Sequence, residues 1–143
     1  MLSQDWVRPN VEEFAGTEDM QFRTTRDYLS TTGDFNGDGQ TDEAFMALNH
    51  DKDMYGIFVS LSGLPQPIQL VEAPLVQASK IGIASVEPGT YLTACGKGYD
   101  IGPEDCLLNL ELKHDGISVA VFEVSERFFY WEGEKFRSQL ISD

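Results

Sequence analysis

Positive charge is what this sequence lacks most. Against 24 aspartates and glutamates it carries only 10 lysines and arginines, for a net charge of −14 over 143 residues, and the ten are scattered from Arg8 to Arg137 without a cluster. A phosphate backbone is bound through a basic face, so a nucleic-acid role is not expected, and an anionic membrane surface is disfavoured for the same reason. Long apolar runs are absent as well. None approaches the roughly 20 residues that span a bilayer, and MLSQDWVRPN has neither a basic leader nor an apolar signal core, so no membrane span is expected. No motif recurs, which argues against a repeat array or a complete propeller. What such a chain attracts is a metal cation or a basic protein partner, because a strong negative field steers positive surfaces toward it.

What is present is the material of one ordinary globular domain. The composition is 41% hydrophobic and 24% charged, enough to bury a core within a single domain, 1–143. Period-two alternation dominates. Residues 42–50 place Ala44, Met46 and Leu48 on one side, residues 54–61 do the same with Tyr55, Ile57, Val59 and Leu61, and NHDKD between them has the composition of a hairpin turn. Further strands are predicted at 67–72, 81–86 and 90–95. Leu108, Leu110 and Leu112 alternate into an HDG turn at 114–116 and on to ISVAVFEV, which predicts an antiparallel pair; ERFFYW, EGE and KFRSQLI predict a second hairpin continuing the same meander. Pro9, followed by Val11, Phe14 and Ala15 and then Gly16, predicts a short helix over 9–15. The expected fold is therefore mainly β: an antiparallel β-sandwich or curved meander sheet with a short N-terminal helix.

The densest chemistry lies in GDFNGDGQTD, residues 33–42, which holds three aspartates, one asparagine and three glycines. Counted from Asp34 as the first position, oxygen-bearing side chains fall at Asp34, Asn36, Asp38 and Asp42, and Gln40 can add its backbone carbonyl. A hard divalent ion takes six or more oxygens at short range, and a loop turning about it presents alternate residues inward. Gly37 and Gly39 permit the left-handed backbone such a loop requires. Calcium fits best. Magnesium prefers a rigid octahedron with retained waters, and zinc or copper prefers histidine or cysteine, neither of which is in the loop. The alternative is a solvated polar turn with NGDG as a hairpin connection.

The twelfth position, where an EF-hand places a bidentate glutamate, is Phe45, and the segment that follows reads as a strand. DFNGDGQTDEAFMAL instead resembles the FG-GAP and VCBS type of calcium loop, D-x-[DN]-x-D-G-x-x-D before a short apolar strand. All five positions of that pattern match. The resemblance implies that Asp34, Asn36, Asp38 and Asp42 ligate Ca2+ through side chains and Gln40 through its carbonyl. It covers about a tenth of the chain, and the single copy departs from the propeller families, so their fold does not carry over. More loosely, the single GDFNGDGQTDEA loop, TYLTACGKGY and the ending FYWEGEKFRSQLISD look like a group of small bacterial exported proteins of uncharacterised function. That likeness implies a periplasmic or extracellular setting, with a signal peptide absent from this chain.

Cys95 and Cys106 flank CGKGYDIGPEDC, a stretch with three glycines and a proline. A bridge closing it would contribute roughly 2 to 3 kcal/mol by the loop-closure relation, and a Cys95–Cys106 disulfide is expected; the alternative is two buried thiols. His50 or His114 could serve a thiol nucleophile only if the fold brought one close. Adjacent carboxylates such as Glu12 and Glu13 are poorly placed to face each other as acid and base. In RFFYW, Tyr130 and Trp131 are candidates for a ligand face, although neighbouring strand residues point to opposite sides. The reading is a calcium-stabilised, non-enzymatic extracytoplasmic domain of inhibitor or immunity type whose acidic surface binds a basic partner. A carbohydrate-binding or cell-wall glycan-acting module is the alternative.

Overall fold

The computed structural model describes residues 5–9, 29–98, 107–122 and 124–142. They form an antiparallel β-sandwich. The first sheet has the order β1-β2-β3-β4, from strands Ser30–Gly33, Asp42–Asn49, Met54–Ser60 and Ile68–Pro74. A 3-10 helix, Leu75–Lys80, then carries the chain to the second sheet, β10-β9-β8-β5, whose members are Lys135–Ser142, Ser125–Glu132, Gly116–Val121 and Ile81–Val86. A two-stranded ribbon pairs β6 (Gly89–Leu92) with β7 (Asn109–Leu112). No helix among the described residues is long and apolar enough to cross a membrane.

Alternation along each strand decides what faces what. Ala44, Met46 and Leu48 of β2 and Tyr55, Ile57 and Val59 of β3 meet Ile81, Ile83, Ile117, Val119 and Phe129 of the other sheet in the main core. Burial raises the Tyr55 phenol above its ordinary 10.0, because a phenolate there would lose its hydration. The outer faces are also used. Phe45, Ala47 and Phe58 form a small cluster under Trp6, whose ring meets Phe58 edge-on at 5.1 Å. On the far side of the second sheet, Leu110 and Leu112 of the ribbon cover Phe128 and Ile141. Strand β9 thus sends Phe129 and Trp131 to the main core and Phe128 and Tyr130 to the second cluster, which makes the RFFYW run mostly packing.

The hairpins β2–β3 and β9–β10 form as read, the first turning through Asp53 at φ 57°. One predicted pairing is corrected. Strand β7 does not pair with β8; it pairs with β6, and β8 has β5 on one edge and β9 on the other. Both edges of β8 are therefore taken, and the chain uses Lys113–Asp115 to change layers, leaving Leu110 and Leu112 to cover the outer cluster. Strand β6 is also shorter than 90–95. It stops at Leu92 because buried Thr93 begins a turn, its hydroxyl accepting from Gly96 N–H at 2.9 Å and its carbonyl accepting from Lys97 N–H at 2.9 Å. The helix expected over 9–15 lies outside the described residues beyond Pro9, as does Cys106. Cys95 is not a free thiol.

Candidate metal centre

Strands β1 and β2 are joined by the acidic loop, and the pair Gly33↔Asp42 closes it. Its anchor is Phe35, fully buried in the main core although aspartate precedes it and asparagine follows it. Burying a phenylalanine contributes about 2 to 3 kcal/mol, enough to hold a loop that is otherwise polar. Asp42 completes the anchor. Only 2% exposed, its carboxylate accepts the Phe35 N–H at 3.0 Å and the Ser62 N–H at 2.8 Å, one on each oxygen. The same side chain therefore ties the loop to the segment after β3.

The remaining acids curl the loop onto itself. The two oxygens of Asp34 accept from Asp38 N–H at 3.1 Å and Gly39 N–H at 2.9 Å, Asn36 Oδ1 accepts from Asp38 N–H at 3.3 Å, and Asp38 Oδ1 accepts from Gln40 N–H at 2.8 Å. This brings one carboxylate oxygen each from Asp34, Asp38 and Asp42 within 4.8 Å of one another. Two oxygens bound 2.3–2.6 Å from a shared calcium ion are at most about 5 Å apart, so the trio is close enough to share one. Asn36 lies in the same curl, and Gln40 joins it through its N–H. The donor set is all oxygen, which suits calcium and not a softer metal.

Two residues that the sequence does not place at the loop complete the surroundings. Asp115, from the turn between β7 and β8, accepts the Asp34 N–H at 3.0 Å across 81 positions of sequence. Beside it, the His114 imidazole covers Gly37 so closely that a Cβ there would lie 2.2 Å from Cε1. The HDG triplet signals only a turn, and no local pattern places that turn against residues 34–37. Gly37 and Gly39 have φ of +75° and +81°, but nothing lies within 4 Å of a Cβ built on Gly39. Gly39→Ala is therefore expected to cost about 1 kcal/mol in urea unfolding, the left-handed penalty alone. Gly37→Ala must also displace His114 and is expected to cost about 2 to 3 kcal/mol. Equal costs would show that His114 does not pack on the loop.

His114 and Asp115 also line a cavity of about 350 Å³, and Tyr130 and Trp131 line it with them. The two aromatic candidates thus meet at one cavity while packing on different clusters. No family model, curated protein or solved structure matches this chain. The candidate site is an oxygen-lined loop on the edge of a sandwich, buttressed by Asp115 and His114, with a cavity lined by aromatic and acidic residues beside it. His50 is in the β2–β3 turn, and His114 is against Gly37.

Proposed function

We propose that this chain is a calcium-stabilised, non-enzymatic extracytoplasmic β domain that binds a basic protein through its acidic surface, in the manner of an inhibitor or immunity protein. The observation that carries the reading is the convergence of Asp34, Asp38 and Asp42 within 4.8 Å on a loop anchored by buried Phe35 and Asp42. Three carboxylates that close repel one another in the absence of a cation, and a bound calcium ion would convert that repulsion into a staple between β1 and β2. Phe35 and Asp115 extend the staple to the core and to the β7–β8 turn. Millimolar calcium outside the cytoplasm suits such a site, as would a Cys95–Cys106 bridge in an oxidising compartment.

The net charge of −14 supports the choice of a basic partner. The test is capture of cell-envelope proteins on immobilised, calcium-loaded protein, eluted by a salt gradient. A basic protein that is held at low salt, released by salt and no longer captured after chelation is the expected result. Capture of acidic or neutral proteins with no salt dependence would reject the reading. The second reading, a glycan-binding module, rests on Tyr130 and Trp131 sharing one cavity, and binding to a glycan array with and without calcium tests it.

A further inference from the structure

The cavity beside the loop has a wall chemistry of its own. Glu111, Asp115 and Glu132, with Lys113 and His114, are its charged and titratable lining residues, and Tyr130 and Trp131 are its aromatic ones. Glu111 and Glu132 are exposed, and Glu132 is fixed by Arg137 at 2.8 Å. At about 350 Å³ the space is at the small end of ligand pockets. That suits one side chain better than a run of sugars. Tyr130 and Trp131 are each half-buried, and Trp131 meets Phe136 edge-on at 5.1 Å.

The molecule shows elsewhere what such a combination holds. The Arg8 guanidinium lies 4.5 Å from the centre of the Phe45 ring and forks onto both oxygens of Glu43 at 3.0 Å each. An aromatic ring next to a glutamate binds arginine here through the ring quadrupole and paired charge-assisted hydrogen bonds. Building on the basic-partner reading above, we infer that the cavity beside the β7–β8 turn receives a guanidinium group from that partner. Glu111 supplies the carboxylate that meets it, and Trp131 and Tyr130 supply the aromatic wall. Arginine suits the site better than lysine because its planar fork matches a carboxylate and stacks on a ring.

The chain has two tryptophans, so Trp6→Phe leaves Trp131 as the one indole, and its emission reports the cavity. The probe is hexa-arginine at low salt, followed by Trp131 fluorescence in that variant and by calorimetry on the unaltered protein. A saturable change in emission is expected. Glu111→Gln should weaken binding about tenfold, the equivalent of one charge-assisted hydrogen bond. Asp51→Asn, in the turn at the opposite end of β2 from the acidic loop, should weaken it less than twofold. If the two substitutions weaken binding equally, or calorimetry detects binding while Trp131 is silent, the peptide is held by the overall field; the cavity assignment then fails and the basic-partner reading stands. No heat at low salt overturns both. Displacement of hexa-arginine by a neutral chito-oligosaccharide would make the cavity a glycan site and overturn the inference.

Discussion

Replacing Asp42 with alanine is expected to lower the unfolding free energy by about 3 to 5 kcal/mol even in chelator-treated protein. Its carboxylate is buried and accepts two backbone N–H groups, those of Phe35 and Ser62. Truncation leaves both donors without a partner, at about 1 to 3 kcal/mol each, and opens a small cavity next to Phe35. Asp38→Ala is the comparison. Asp38 is exposed, and among the described residues its carboxylate accepts only the N–H of Gln40, so without calcium it should cost less than about 1 kcal/mol. Urea unfolding of the two variants side by side separates the roles: Asp42 as anchor and proposed ligand together, Asp38 as proposed ligand only. A cost under about 1 kcal/mol for Asp42→Ala would mean that the loop is not fastened to the core through this side chain.

Calcium is expected to raise the melting temperature by roughly 10 °C once its free concentration reaches about one hundred times the dissociation constant. Ligand binding to the folded state alone contributes about 2.7 kcal/mol at that ratio, and a domain of this length melts about 3 to 4 °C higher per kcal/mol. Asp38→Ala should abolish the shift while leaving the ion-free melting point nearly unchanged. Sodium chloride at matched ionic strength provides the control, because charge screening alone relieves repulsion between exposed carboxylates. Calorimetry should give a single site. If salt reproduces the shift, or Asp38→Ala retains it, GDFNGDGQTD is a screened polar turn and the support for an extracytoplasmic setting disappears. Magnesium should give a smaller shift, since it holds its waters and demands an octahedron the loop does not impose.

Both predictions depend on features that differ in how readable they are. Ligand spacing within ten residues is a local property, so Asp34, Asp38 and Asp42 could be selected before any fold was known, and the structure brings their oxygens together. Strand positions were readable for a similar reason. Period-two alternation is local, and the β2–β3 and β9–β10 hairpins join neighbours through short turns. The β7–β8 pairing misled because alternation says that a strand has a buried face without saying which layer buries it. Strand β8 had both edges occupied by β5 and β9, a fact of topology that Leu110 and Leu112 do not encode.

The sequence by itself determined the oxygen-only side chains of the acidic loop, the sign of the net charge and the mainly β, antiparallel class, because each follows from residue type and short-range spacing. Tertiary structure alone decided that Phe35 is driven into the core, that Asp42 reaches Ser62, that Asp115 meets Asp34 from 81 residues away, and that Tyr130 and Trp131 share a cavity with Glu111. These depend on how two sheets and a ribbon stack, and burial of apolar faces selects that stacking for the chain as a whole, with no short stretch specifying it.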